Sequence, residues 1–216
     1  PHRTDTMRGY LSTIHKRRNN MKIIGLSGQK RNGKSATLAA LVKNYKNIIP
    51  YSFARPLKEC CKILFGGTDE HWYGKDKETE LEIWKASPRK LMQLVGTELF
   101  RNNFDRNFWI KVAEVHIERI RNYHEIVDSG NVEFDPIIVI DDVRFENEAE
   151  LILGKGGKIY NIRNINIPIA EPAHESEIPL HPCYISAELH AASLEEVEGN
   201  AHFIAKDNGL CLITTP

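Results

Sequence analysis

Gly28, Gly33, Lys34 and Ser35 fall at the spacing G-x-x-x-x-G-K-[ST] inside "GLSGQKRNGKS", residues 25–35. Two glycines let a backbone curl until its N–H groups point inward at an anion, and a helix starting at the lysine adds its positive end. A nucleotide polyphosphate suits such a turn: Lys34 reaches the β- and γ-phosphates and the Ser35 hydroxyl holds Mg2+. The plain alternative is a Gly-Lys turn without a ligand. The flanks oppose it, because "MKIIGL" before the loop reads as a buried strand and "ATLAALVKNY" after it as a helix. Lys30 and Arg31 lie inside the loop, either as solvent-facing charges or as cations for a transferred phosphoryl group.

A second group of reactive residues follows the apolar run "PIIVI". Asp141 and Asp142 stand at its end, where a carboxylate can hold the Mg2+ shell or a nucleophile; one of the two can equally cap a helix. Arg144 and Glu148 come next at helical spacing, close to one face with Asp142. Charged helix faces are commonly just solvated, but ligands bind at the carboxyl ends of strands in open α/β sheets.

The surrounding pattern supplies elements to position these groups. Strands are predicted at Met21–Leu26, at Ile48–Ala54 with a break at Pro50, at Ile137–Ile140 and over "KIYNIR". Between them lie helical patterns: Lys34–Tyr45 with Leu38, Leu41, Val42 and Tyr45 on one face, "RPLKECCKILFG" ended by Gly66-Gly67, and "RKLMQLVGTELFR" opened by Ser87-Pro88 and interrupted at Gly96. A long amphipathic helix over "DRNFWIKVAEVHIERIRNYHE" has Phe108, Val112, Val115 and Ile120 as core candidates, and "RFENEAELIL" is helical. The charged segment "TDEHWYGKDKETELEIWKAS" reads as a loop or small helical excursion that Trp72 and Trp84 pack onto the body. The proline-rich "NINIPIAEPAHESEIPLHP" reads as a loop or lid, and "FIAKDNGLCLITT" as a hairpin turning at Asn208-Gly209. Strand–helix alternation of this kind predicts an α/β fold with a parallel sheet.

Length and composition bound the function. The 216 residues, 41% hydrophobic and 27% charged, fit one domain with a real core. A formal net charge of zero argues against nucleic-acid or anionic-membrane binding, and no apolar run approaches the ~20 residues of a membrane helix. Four cysteines without C-x-x-C fit reduced thiols in a cytoplasmic setting. Residues 1–20, polar and ending in "HKRRNN", read as a disordered extension ahead of a natural start at Met21, with a nucleic-acid arm as the alternative.

The ordered blocks "GLSGQKRNGKS", "FARPLK", "PRKLMQLVGTELFR", "NNFDRNFWIK", "DDVRFENEAE" with "GKGGKIYNIR", and "HESE" resemble the deoxynucleoside monophosphate kinases of the bacteriophage type, over most of residues 21–177. The resemblance implies a P-loop NTPase fold of the nucleoside monophosphate kinase kind, a parallel sheet flanked by helices over 21–216. It also implies an acceptor-binding region at about 55–130 and a lid at about 164–182. The implied activity is phosphoryl transfer from Mg-ATP to a deoxynucleoside 5′-monophosphate (dNMP), in the host cytoplasm if the source is viral, with a homodimer as one permitted assembly.

By matching position, the resemblance puts Gly28, Lys30, Asn32, Gly33, Lys34, Ser35 and Ala36 on the donor phosphates, with Arg163 at the lid base. Mg2+ falls to Ser35 and Asp141. Arg89 faces the acceptor phosphate, Trp109 its base, Asp142, Arg144 and Glu148 line the acceptor site, and Gln93 is a further substrate-binding residue. Lys34, Arg31, Arg89, Arg144 and Asp142 form the catalytic set. Trp109 on an amphipathic helix also has a plain core reading, and Arg89 a plain surface one. From Asn164 to Ala205 there is no Lys or Arg, so a lid there cannot supply arginine fingers. His174 is the one candidate cation of "AEPAHESE", as a substrate contact or a surface-loop residue.

Ser35 stands where the family often has Asp, which restores the general loop form. The segment before "PRKLMQ" is short, and the tail after His181 matches poorly, leaving "HAASLEEVEG" and "KDNG" as candidates for the donor-base pocket. The rival readings are a phosphomevalonate-kinase-like enzyme and a non-catalytic nucleotide-binding module.

Overall fold

The computed structural model describes residues 21–127, 136–168 and 174–213. The expected disordered extension, residues 1–20, lies outside them, as do residues 169–173 of the expected lid. Among the described residues a five-stranded sheet has the order β2-β3-β1-β4-β5: β1 is Lys22–Ser27, β2 Ile48–Tyr51, β3 Ile137–Val143, β4 Lys158–Arg163 and β5 Ala187–His190. Every pairing is parallel. β1 is central and reads "KIIGLS", apolar and buried after its first residue, as expected of a strand covered on both faces. β2 lies at an edge, which is where Pro50 can be accommodated, so the proline does not break the strand.

Helices α1 (Lys34–Asn44) and α7 (Leu194–Asn208) cover one face of the sheet. Leu41, Tyr45, Val197, Ala201 and Ile204 pack there on Ile24, Leu26, Val139 and Tyr160. Helices α5 (Phe108–Val127) and α6 (Glu146–Gly154) cover the other, with Ala113, Ile117, Ala149 and Ile152 on Ile23, Ile138, Ile140 and Ile159. A third, smaller cluster of Cys61, Trp72, Leu91 and Val95 joins α2 (Ala54–Phe65), the short α3 (Asp69–Trp72), α4 (Pro88–Gln93) and the π-helical segment Leu94–Asn102 that continues α4. This cluster is the body of the expected acceptor-binding region. Ser87 caps α4 by accepting from Lys90 N–H, with Pro88 at the first helical position. No described helix is long and apolar enough to cross a membrane, and all four cysteines are free.

Several expectations need correction. The hairpin at Asn208-Gly209 is the end of α7. Asn-Gly signals both tight hairpins and left-handed helix caps, and Gly209, at φ 63°, is the latter. The start of α7 is fixed by Ser193, whose hydroxyl accepts from Glu196 N–H while the Glu196 carboxylate accepts from Ser193 N–H. β3 runs on through Asp141 and Asp142 to Val143. The buried stripe of α5 is Trp109, Ala113 and Ile117 at i, i+4, i+8; Phe108, Val112 and Ile120 flank it half-buried, and Val115 is exposed. Val42 is likewise exposed on α1, whose buried positions include Thr37 and Ala40. At Gly96 the helix changes winding instead of stopping: a Cβ there would lie 2.5 Å from Leu57 Cδ2, so glycine lets the segment press against α2. Trp72 is fully buried with its indole N–H on Gly66 O at 2.7 Å, while Trp84 stays partly exposed and donates to Phe65 O at 2.8 Å.

Candidate functional site

The β1–α1 loop closes at the carboxyl ends of the central strands. Gly28 has φ 131°, and a Cβ on it would sit 2.2 Å from the carbonyl oxygen of Ile162, so β4 admits only glycine here. Gly33, at φ 92°, would meet Ala191 Cβ at 2.7 Å. Arg31 is exposed and also left-handed, at φ 68°. Lys34, the first residue of α1, folds back over the loop and donates to Gly28 O at 2.6 Å and Gln29 O at 2.8 Å. Burial and the nearby Arg144 charge lower its pKa to about 8, against the opposite pull of Asp141 and Asp142.

One residue further on, Ser35 Oγ lies 3.5 Å from Asp141 Oδ2. A hydroxyl and a carboxylate from two elements are hard oxygen donors, the kind Mg2+ takes in small number together with substrate phosphates. Burial and then Asp142 raise the Asp141 pKa, opposed by Lys58 and Lys34, so a cation beside Asp141 is electrostatically favoured. Among the described residues no group of three or more His, Cys, Asp or Glu is placed to hold a metal, so an all-protein cage is not on offer. Asp142, expected in the catalytic set and the acceptor site, is engaged elsewhere. Its carboxylate accepts from Phe53 N–H at 2.8 Å, Ala54 N–H at 2.9 Å and Ser52 Oγ at 2.6 Å, closing the N-terminus of α2.

Cations gather opposite the loop. Arg89, on α4, donates through Nε to Glu78 at 2.6 Å and through NH1 to Glu177 at 3.3 Å. Glu78 also accepts from Lys30 of the loop at 3.0 Å. Lys77, in the same 3-10 turn (Asp76–Glu78), is half-buried; burial first, then Lys58, Arg89, Lys30 and Arg144, lower its pKa. The charges of Lys30, Lys34, Lys58, Lys77, Arg89 and Arg144 are therefore close enough to act on one another or on Asp141. Gln93 is half-buried at the end of α4. His174 Nε2 lies 3.5 Å from Glu98 of the π segment.

Other expected contacts are placed differently. Trp109 is core: its indole N–H donates to Gly96 O at 2.8 Å, and Phe108 and Phe100 pack edge-on against it at 4.8 and 5.7 Å. Glu148 is buried with Arg101, their side chains 4% and 5% exposed and 2.9 Å apart. The Arg101 guanidinium also bonds Asn147 at 3.0 Å and stacks 3.5 Å over the Phe145 ring. Glu148 Oε2 accepts from Arg144 N–H and Phe145 N–H at 2.9 and 3.1 Å; burial, then Asp142, still push its carboxyl up to about 7. Neither Trp109 nor Glu148 is presented to a substrate. Asn32 is buried, and its side-chain oxygen accepts from Asn164 N–H at 3.3 Å, tying the loop to the exit of β4. Ala36 is exposed, and Arg163 is exposed with NH1 3.7 Å from Glu188. "KDNG" lies at the far end of the sheet, where Lys22 and Lys158 bond Asn208 O and Asp207 at 2.6 and 2.7 Å. "HAASLEEVEG" begins beside Gly33, so it alone of the two borders the loop.

The sequence reading did not single out Lys58, Lys77 or Glu78, which stand beside Asp141, Lys30 and Arg89. The first hides on an ordinary amphipathic helix. The other two sit in a charged run with no period, where nothing local separates a site from solvated surface. For Lys77 the one available signal was its place in the acceptor-side segment.

Residues 71–182 of the chain match the deoxynucleotide monophosphate kinase family. A putative deoxynucleotide monophosphate kinase of Acanthamoeba polyphaga mimivirus is 36% identical over 163 residues, spanning 74% of this chain and 82% of that protein. The deoxynucleoside-5′-monophosphate kinase of Escherichia phage T5 is 25% identical, spanning 77% and 88%. The deoxynucleotide monophosphate kinase of Enterobacteria phage T4 is 24% identical, spanning 66% and 81%. Among solved structures, a Deinococcus radiodurans tunicamycin resistance protein superposes with a TM-score of 0.44 at 13% identity, covering 91% of this chain and all of that one. On the family match and the mimivirus relative, this chain belongs to the deoxynucleotide monophosphate kinase family.

Proposed function

We propose that this chain transfers the γ-phosphoryl group of ATP to the phosphate of a deoxynucleoside 5′-monophosphate, giving the diphosphate and ADP. The observation that carries the reading is the Glu78 carboxylate, where Lys30 of the phosphate loop at 3.0 Å and Arg89 of α4 at 2.6 Å meet. Lys30 and Lys34 come from the phosphate loop, and Lys58, Lys77, Arg89 and Arg144 from elements outside it. A nucleotide-binding module that only held ATP needs the first pair; two reacting polyanions need both sets.

In the transfer, an oxygen of the acceptor phosphate forms the new bond to the γ-phosphorus and the bond to the β-γ bridging oxygen breaks, leaving with ADP. The acceptor oxygen is already an anion, so no general base is required. That agrees with Asp142 being spent on the α2 cap. Lys34 and the loop hold the donor, and Arg89, Lys77, Lys58 and Arg144 draw the acceptor phosphate into line. Ser35 and Asp141 would hold Mg2+, which supplies charge neutralisation on the donor phosphates. Arg163 and residues 190–192, at the ends of β4 and β5 beside Gly28 and Gly33, would border the donor base.

The test is ADP release from Mg-ATP against a panel of dNMPs, NMPs and phosphomevalonate, with product mass. A deoxynucleoside diphosphate product is expected. Turnover of phosphomevalonate alone, or ATP binding without any transfer, would overturn the reading.

A further inference from the structure

One oxygen of Glu78, Oε1, accepts from Lys30 Nζ at 3.0 Å and from Arg89 Nε at 2.6 Å. Arg89 NH1 donates onward to Glu177 Oε1 at 3.3 Å. A line of alternating charges therefore runs from the phosphate loop, through the Asp76–Glu78 turn, to α4 and on to the 3-10 turn Glu175–Glu177. Two carboxylates on one guanidinium present it with the fork of oxygens that a phosphate would. The Glu78 and Lys30 side chains are each 57% exposed, so their bond is weak and open to exchange. The half-buried Lys77 beside Glu78 has cations for neighbours in Lys58 and Arg144, so an incoming dianion meets more positive charge than one carboxylate can balance.

We propose that Glu78 is a placeholder for the acceptor's phosphate: the monophosphate displaces it from Arg89, and the same exchange frees Lys30 for the donor phosphates. Glu78 is then a positioning residue that couples the two substrates. Before the acceptor arrives, Lys30 is held off the donor by Glu78, which restrains transfer to water. The inference rests on the kinase reading above. The competing arrangement is a permanent clamp, in which Glu78 keeps Arg89 in place for the phosphate; the two predict opposite signs when the Glu78 charge is removed.

The experiment titrates dNMPs calorimetrically into the full chain and its Glu78→Gln variant, and follows ADP release from Mg-ATP without acceptor. Glu78→Gln should bind dNMP about fivefold more tightly, as the loss of two partly exposed competing ion pairs allows. Acceptor-independent ADP release should rise severalfold, and Glu78→Asp, which keeps the charge, should hold it near the parent level. Weaker or unchanged dNMP binding in Glu78→Gln overturns the placeholder while leaving the kinase reading intact. If neither protein binds any dNMP, the kinase reading falls and the placeholder with it.

Discussion

The Asp142 carboxylate accepts from the backbone N–H of Ala54 at 2.9 Å, although 88 residues separate them, and so ties the end of β3 to the start of α2. Its neighbour Asp141 faces the other way, toward Ser35 at 3.5 Å. Adjacent carboxylates thus have unlike jobs, and their variants should separate. Asp142→Ala should lower stability by about 1–2 kcal/mol through the lost cap, read as a drop in Tm. Asp141→Asn should leave Tm close to the parent's and cost kcat about a hundredfold or more, as removal of a group acting on transition-state charge does.

Lys34 gives a pH signature in two measurements. In the proposed reaction it holds phosphate as a cation, so ATP affinity should fall as pH rises through its pKa of about 8, and titrations from pH 7 to 9.5 would show it. For stability the sign is reversed. The unfolded lysine holds its proton up to about 10.5, so burial of the charge costs the fold in full below about 8, and the cost is withdrawn between 8 and 10.5. Relative to Lys34→Met, the parent should gain stability across that window.

The Arg101–Glu148 pair should behave as a buried pair. Arg101→Leu should destabilise by about 3–5 kcal/mol, because it strands a carboxylate in the core. Since burial raises the Glu148 carboxyl to about 7, the folded state holds that proton more tightly than the unfolded chain. Its contribution is then most favourable below about 4.5 and is lost as pH rises to 7. Glu148→Gln should lack this slope in denaturation series and leave the ranking of acceptor bases unchanged.

Gly28→Ala places a methyl 2.2 Å from Ile162 O at a positive φ. Either the loop or the exit of β4 must move, at roughly 1–3 kcal/mol. ATP binding should be lost well before the fold, which calorimetry and melting curves on the same sample distinguish.

Lys77→Ala should raise KM for the acceptor about tenfold, as loss of one charge-assisted phosphate contact does, while KM for ATP stays near the parent value. Steady-state kinetics with each substrate varied in turn would check the split.

What could be read in advance follows from how local each signal is. The phosphate loop needs only a spacing, β1 and β3 announce themselves as apolar runs, and β4 as a short stretch with Ile159, Tyr160 and Ile162 after a glycine turn. β5 escaped because "AELH" is four residues at a sheet edge, half polar, with no run to see. α7 was misread because its last residue and the glycine that caps it form a dipeptide shared by hairpins and helix caps, while its buried spacing at Val197, Ala201 and Ile204 was the better signal. Around the loop, the folding of Lys34 over its own turn and the approach of Ser35 to Asp141 follow from the motif spacing and from the strand before it. The burial of Trp109 and Glu148 was not legible, because whether an indole or a carboxylate meets substrate or core depends on Gly96 O and Arg101, neighbours that only the folded chain brings to them.

The π-helical winding of Leu94–Asn102 has a consequence for how this part of the chain can change. A π turn spends one residue more per hydrogen-bonded ring than an α turn, so the segment carries a register offset within an otherwise ordinary helix. Deleting a residue there would let the α pattern resume, but it would shorten the path from α4 to the 103–107 link that leads into α5. Arg101, next to the end of the segment, would be drawn away from Glu148, and the short link to α5, which carries Trp109 onto the Gly96 carbonyl, would be put under tension. The segment should therefore admit substitutions far more readily than changes in length, and its nine-residue span is itself a trait to follow when related chains are aligned.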